Sequence, residues 1–423
     1  MRIVLNTFGS FGDVHPYLAL ALELKRRGHD PLVATAEFYR SKIESAGVAF
    51  APVAPNIGDL LSKPEMIERI WRPRTGPDFL IRQYLLPALA ESFDDLVSAC
   101  HGADLFVSHP AGYAGPVVAE LMNLRWLSVA LQPMIFLSAF DLPLIAGIPL
   151  LNSLYKMSGG AGRLVLRFTK GFVAGWAEPI HALRKRAGLP MLKKNPMFEG
   201  QFSPYGTLAL FSPHFSSPQR DWPPHTHVTG FPFYDQPGFE TNGTELARFL
   251  DEGPPPVLFT LGSSAVMQPE SFYEESLKAA VRFGFRAILL GMRGANALPS
   301  TVYATDYLPY SLFMPRCSAI VHQGGIGTTS QALRAGRPMV IVPWAFDQPD
   351  NAERARKLAV SRTLSRSRYN AKRVGRALEI VLDERQGYCQ RAATLANRIS
   401  AEDGVACACE AIEQMAIRTA TRP

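Results

Sequence analysis

Apolar and polar positions in the first fifty residues switch repeatedly between two periods. Residues 2–8 read as a buried strand, and residues 16–27 as a helix with Pro16 in its first turn and Gly28 just past its end. Residues 31–36 predict a second strand, 37–46 a helix closed by Gly47, and 48–53 a third strand. A β-α-β-α-β order implies a parallel sheet covered by helices. The stretch 55–230 is less regular, with helices expected at 78–99 and 115–122 and strands at 105–108 and 127–131. A polar, Gly- and Pro-containing segment at 234–243 is the best linker candidate. A second α/β pattern follows. Strands are expected at 257–261, 286–290, 318–321 and 339–342, and helices at 270–283, 328–334 and 351–358. The pattern predicts an α/β chain of two Rossmann-like domains, 1–233 and 244–400, with parallel sheets facing a central cleft. A C-terminal helix at 401–423 is placed as returning to the first domain.

Composition narrows this picture without changing it. The 423 residues include 47% hydrophobic and 19% charged ones, an ordinary globular balance. Five scattered cysteines, odd in number and without a C-x-x-C pair, argue against a disulfide framework and for a reducing cytosol. Cys407 and Cys409 read as packing residues. No signal peptide is visible, so a cytoplasmic location is expected. The longest apolar tract, 127–155, contains Gln132, Asp141 and three prolines, too interrupted for a span of about 20 apolar residues. The net charge of +7 is concentrated between 156 and 194, where nine basic residues face Glu178 alone. That segment is either a solvated basic face or a contact with anionic headgroups at the inner face of a membrane. Nucleic acid fits poorly, since no binding motif accompanies the charge.

The richest chemistry lies at 307–351. A strand ends at Val321, and His322, Gly324, Gly325 and Gly327 lead to a helix starting near Thr328. Unpaired N–H groups and the macrodipole at a helix start attract anions, and glycines allow close backbone approach. With Thr328, Thr329 and the His322 imidazole as added donors, the segment reads as a diphosphate cradle that needs no metal. A purely structural turn would use the same glycines. A second loop, residues 9–16, follows the first strand at the end of the sheet where such folds place ligands.

In these motifs the chain resembles the GT-B-fold, family 1 glycosyltransferases. The likeness is to the bacterial branch of sterol, flavonoid and antibiotic glycosyltransferases and the rhamnolipid rhamnosyltransferase. It is dense at 1–28 and 305–355 and weak at 55–230. The resemblance implies that His322, Gly324, Gly325, Gly327, Thr328 and Thr329 hold the donor diphosphate and that Ser263 contacts it. It implies that Asp347 and Gln348 bind the sugar, and that Tyr307, Leu308 and Tyr310 belong to the stretch packing on the nucleobase. It implies a general base directly after Gly12, which is Asp13. That carboxylate would take the acceptor's proton as the hydroxyl attacks and inverts the anomeric centre. His15 is the alternative base, and capping a helix is the alternative role for Asp13. His109 would polarise Asp13 or be a satisfied pocket-edge histidine. The acceptor is expected against Phe11, His15, Gln132 and Phe136, the last two in the apolar tract, which is otherwise ordinary core. One departure stands out. Many relatives carry a ribose-binding Glu on the helix after the glycines, and here Ser330 and Gln331 stand there.

The expected function is an inverting, metal-independent transfer of a hexose (glucose or rhamnose) from a UDP- or dTDP-sugar to a hydroxyl of a lipophilic molecule. The acceptor would be a flavonoid or other polyphenol, a sterol, a polyketide or a hydroxy fatty acid. No metal and no cofactor are expected, the nucleotide sugar being a co-substrate, and the chain is expected to be a monomer or weak dimer. The rival readings are a GT-B shell that binds without turnover, a dinucleotide oxidoreductase and a sugar epimerase. Asp13, His322 and the Asp347-Gln348 pair together argue against the first. The missing third glycine of G-x-G-x-x-G argues against the second.

Overall fold

The structure is a computed structural model describing residues 1–147, 154, 157–235, 245–262, 269, 271–292 and 298–418. The chain divides into two compact units, Met1–Tyr234 with Asp403–Pro423, and Asp235–Glu402. Most of the expected linker, 236–243, lies outside the described residues, as do Ser263 and part of the apolar tract.

The first unit holds strands β1 (Arg2–Asn6), β2 (Asp30–Thr35), β3 (Ala49–Pro52), β4 (Leu105–Ser108), β5 (Trp126–Ala130), β6 (Thr207–Ala209) and β7 (Thr226–Val228). They form one parallel sheet in the order β3-β2-β1-β4-β5-β6-β7. Helices α1 (Phe11–Arg26), α2 (Arg40–Ser45), α3 (Leu89–Ala99), α4 (Gly115–Leu121), α5 (Gly159–Phe172) and α6 (Glu178–Arg186) accompany it. Because helices cover both faces, β1, β4 and β5 read as nearly continuous apolar runs. Ile3 and Leu5 belong to one core cluster and Val4 to another, as strand alternation requires.

Helix α1 begins five residues before the expected start at Pro16. Ser10 caps it, accepting from the Gly12 N–H at 3.2 Å, while the Asp13 carboxylate accepts from the Ser10 N–H at 2.7 Å. This reciprocal pair outweighs the lost N–H of Pro16, now inside the helix. Helix α5 was not legible because four of its fourteen residues are glycine, the poorest non-proline helix former. Packing sustains it: a Cβ on Gly162 would lie 2.1 Å from the Ala139 carbonyl oxygen, so only glycine permits this approach.

The second unit holds β8 (Val257–Thr260), β9 (Ala287–Leu290), β10 (Val302–Thr305), β11 (Ala319–His322), β12 (Met339–Ile341) and β13 (Ser361–Thr363). They too form one parallel sheet, in the order β10-β9-β8-β11-β12-β13. Its helices include α7 (Phe272–Phe283), α8 (Ile326–Arg334), α9 (Gln348–Lys357), α10 (Ala371–Leu382) and α11 (Tyr388–Ser400). The last helix, α12 (Gly404–Arg418), belongs to the first unit. It buries Ala408, Cys409 and Ile412 against α1, and Glu413 meets Arg27 at 2.8 Å and His29 at 2.9 Å. All five cysteines are free. Cys409 is buried, whereas Cys407 is exposed, so the reading of both as packing residues holds for Cys409 alone.

The basic segment is less free than its sequence suggests. Arg184 is 1% exposed and forks onto Glu120 at 2.7 and 2.9 Å, with the Pro190 carbonyl as further acceptor. Lys170 pairs with Glu199 at 2.6 Å and Arg186 with Asp94 at 2.8 Å. Among the described residues, no helix is long and apolar enough to cross a membrane.

Candidate active site

Each sheet reverses its direction of growth once. In the first unit the reversal lies between β1 and β4, in the second between β8 and β11. Ligands in open α/β sheets bind beyond the carboxyl ends of the strands at such points. The expected chemistry falls on these loops.

At the first switch point, β1 leads through Gly9 and Ser10 into α1, and β4 ends beside His109. The two oxygens of Asp13 have different surroundings. Oδ2 accepts from the Ser10 N–H at 2.7 Å and from its hydroxyl at 3.2 Å. Oδ1 lies 3.6 Å from His109 Nε2. His109 Nδ1 accepts from the Ala111 N–H at 3.0 Å, so a neutral ring carries its proton on Nε2, toward the carboxylate. The Asp13 side chain is 28% exposed and that of His109 9%. Asp13 is thus a capping residue whose Oδ1 faces His109 rather than the cap. A small cleft lined by Asn6, Thr7, Phe8, Val53, Ala111 and Tyr113 opens at the same end of the sheet.

Phe11 and His15 stand one turn apart on α1, their ring centroids 5.3 Å apart. Tyr234 covers His15 at 5.0 Å, and Lys42 Nζ lies 5.3 and 5.4 Å from the Phe11 and Tyr234 rings. Burial, helped by the Lys42 charge, lowers the His15 pKa to about 3, so the ring is neutral at pH 7. Its Nε2 is buried without a protein partner, as is Oε1 of Gln132. Phe136, also expected at the acceptor, packs among aromatic rings. It is 6% exposed and sits among Trp222 (4.2 Å, stacked), Phe202 (5.8 Å, stacked) and Phe211 (6.2 Å). Its ring faces belong to an aromatic core rather than to an open wall.

At the second switch point, β11 ends in His322 and α8 starts at Ile326 with Gly325 as its cap. Gly324 adopts φ +93°, and a Cβ there would meet Ile341 Cγ2 at 2.8 Å and the Gln348 carbonyl oxygen at 3.1 Å. The side chains expected as extra donors are turned inward. His322 is fully buried, its Nδ1 accepting from the Gly324 N–H at 3.1 Å and its Nε2 lying 3.3 Å from Met339 Sδ. Burial lowers its pKa to about 3. The Thr329 hydroxyl donates to the Gly325 carbonyl at 2.9 Å. Thr328 bonds the Tyr310 hydroxyl, which also lies 3.3 Å from Thr260 Oγ1. Residues 325–327 at the helix start are half-buried, and the buried polar side chains hold the turn in this shape.

The Asp347-Gln348 pair is bound into the same construction. Asp347 Oδ2 accepts from the Ile326 N–H at 3.3 Å and from Asn351 Nδ2 at 2.6 Å. Gln348 Oε1 accepts from the N–H groups of Trp344 (2.7 Å) and Ala345 (3.1 Å), leaving its amide nitrogen as the available donor. Asn351 also donates to the Gly324 carbonyl at 2.9 Å, fastening α9 to the glycine turn. Sequence reading passed over Asn351. Its spacing of four from Asp347 on a helix was the available signal. Leu308 is buried, Tyr310 half-buried and Tyr307 52% exposed. Ser330, at the place of the missing Glu, donates to the Gly327 carbonyl at 2.8 Å. Among the described residues no cluster of His, Cys, Asp or Glu is arranged to hold a metal ion.

Comparison with known proteins agrees with this architecture. Residues 3–92 match the glycosyltransferase family 28 N-terminal domain, and residues 289–415 match the erythromycin biosynthesis protein CIII-like C-terminal domain. The O-mycaminosyltylonolide 6-deoxyallosyltransferase of Streptomyces fradiae is 33% identical over 98% of this chain and 98% of its own length. The sterol 3-beta-glucosyltransferase UGT80A2 of Arabidopsis thaliana is 30% identical over 97% of this chain, which spans 65% of that protein. The crystal structure of glycosyltransferase VinC in complex with dTDP superposes with a TM-score of 0.67 at 20% identity, covering 99% of this chain and 100% of that one.

Proposed function

Because this chain belongs to the family 1 glycosyltransferases of GT-B fold, and is a hexosyltransferase, we propose that it moves a hexose, preferably a 6-deoxyhexose such as rhamnose, from a dTDP-sugar to a hydroxyl of a lipophilic polyketide-type acceptor. The observation that carries the reading is the Asp13 carboxylate at the first switch point, with Oδ1 facing His109 Nε2 at 3.6 Å. The acceptor oxygen attacks the anomeric carbon, its proton passes to Asp13 Oδ1, and the nucleoside diphosphate departs from the opposite face with inversion. His109 positions the carboxylate and steadies its charge through Nε2–H. The amides at the start of α8 receive the diphosphate, Tyr307 the base, and Asp347 and Gln348 the sugar. Phe11, His15 and Gln132 supply the acceptor surface.

A thymidine donor over a uridine one is supported by the dTDP in the structure of the similar glycosyltransferase VinC, and a 6-deoxyhexose by the Streptomyces relative, which is named as a 6-deoxyallosyltransferase. The similarity to a sterol glucosyltransferase supports a second reading, glucose from UDP-glucose onto a sterol. A mass-spectrometric screen of dTDP-rhamnose, dTDP-glucose and UDP-glucose against macrolide aglycones, sterols and flavonoids, with EDTA throughout, tests both. A dTDP-dependent acceptor adduct is expected. A sterol glucoside would select the second reading. Nucleotide binding with no acceptor-dependent release of diphosphate would defeat both and favour a shell without turnover.

A further inference from the structure

Helix α5 (Gly159–Phe172) presents a face that the transfer reaction does not use. Leu164, Phe168 and Phe172 recur every four residues and are 68%, 66% and 74% exposed. That spacing places them in one stripe along the helix. Phe168 and Phe172 meet edge to face at 4.9 Å, so the outer face is ordered as a surface of its own. The opposite face is committed inward, with Gly162 against the Ala139 carbonyl and Leu166 in a cluster with Ala139 and Leu142. Along one edge of the stripe stand the exposed Arg163 and Arg167. None of the fourteen residues is acidic. Lys170, farther round the helix, is taken by Glu199 and does not add to this edge.

A surface helix of a water-soluble fold normally turns charged residues outward. Here large apolar side chains point outward with arginines beside them. This is the arrangement of a helix lying in a membrane interface, apolar side chains at the acyl boundary and cations at the headgroups. A second copy of the chain would bring another acid-free, cationic helix to this one, so charge disfavours self-association.

We infer that α5 docks this protein on an anionic lipid bilayer, with Leu164, Phe168 and Phe172 inserted at the acyl boundary and Arg163 and Arg167 against lipid phosphates. The inference goes beyond the proposed reaction and is tested without it. The full chain is sedimented with vesicles of phosphatidylglycerol and phosphatidylcholine in equal parts, and with phosphatidylcholine alone. Binding to the anionic vesicles that weakens with salt is expected. Phe168→Ser with Phe172→Ser, and Arg163→Glu with Arg167→Glu, are each expected to lower partitioning by about tenfold or more, with unchanged circular dichroism. Phe168→Trp, the gentler variant, should show blue-shifted emission on anionic vesicles only. Absence of vesicle binding, or equal partitioning of the wild type and both double variants, overturns the inference. So does a dimer in sedimentation velocity that the Phe168/Phe172 variant dissolves, which would make a second copy the occupant.

Discussion

The loops at the two switch points occupy the same place in two similar sheets, yet they are built from different materials. After β1 and β4 the candidate reactive groups are side chains, Asp13 and His109, held by a few local hydrogen bonds, with the second Asp13 oxygen facing His109. After β11 the polar side chains point inward. His322 and Thr329, with Gln348 and Asn351 of α9, are all buried and hold the glycine turn, whose residues 325–327 are half-buried. The difference fits the two tasks proposed for these loops. A general base must exchange a proton and so needs a titratable oxygen with access to the reacting atom. A diphosphate carries its charge throughout, and fixed amide dipoles at a helix start hold it without any protonation change.

The largest test of this contrast is Asp13→Asn. Asparagine retains an acceptor oxygen for the Ser10 cap but cannot take a proton. Turnover should fall by about a thousandfold, near 4 kcal/mol of barrier, while dTDP affinity and melting temperature stay close to wild type. Stopped assays with isothermal titration separate these outcomes. Near-normal turnover would move the base elsewhere, and a parallel loss of nucleotide binding would mean that the variant damages more than proton transfer.

The mirror experiment strikes the backbone. Gly324→Ala places a Cβ against Ile341 and the Gln348 carbonyl at a φ of +93°. Left-handed backbone and a forced contact together cost about 3 kcal/mol, so donor affinity should drop about a hundredfold as the turn deforms. Proton transfer at Asp13 should be untouched, which appears as a raised donor KM with a smaller change in kcat. A kcat loss as large as that of Asp13→Asn would erase the distinction between the loops.

The division also explains what was legible in the sequence. Period and turn residues located both sheets, and a carboxylate after a glycine turn or glycines before a helix are local patterns that survive translation into structure. The inward rotation of His322 was not legible. An imidazole beside a phosphate cradle and one hydrogen-bonded to its own turn have identical sequence neighbours, and Met339, its partner on β12, is seventeen residues away. The surroundings of Phe136 were hidden for the same reason, since Phe202, Phe211 and Trp222 reach it from distant segments. The true start of α1 was open to reading, because Ser10 and Asp13 have the spacing of a capping box.

The smallest effect concerns what the two regions share, a buried neutral histidine in each. His15 and His322 have folded-state pKa values near 3 against about 6.5 in an unfolded chain. Between those values the unfolded state binds more protons, so stability is complete above pH 6.5 and falls as the pH drops toward 3. From pH 7 to pH 5 each ring should account for a loss of about 2 kcal/mol in denaturant unfolding. His322→Asn, whose amide oxygen can take the Gly324 N–H, should remove the share of the second unit and leave that of His15. The only tryptophan between 235 and 402 is Trp344. Its emission, isolated in a background lacking the other four, should then report a flatter acid profile for its own unit. An unchanged slope there would mean that the His322 ring is not held neutral by burial, and the cradle would regain a side-chain cation for its phosphates.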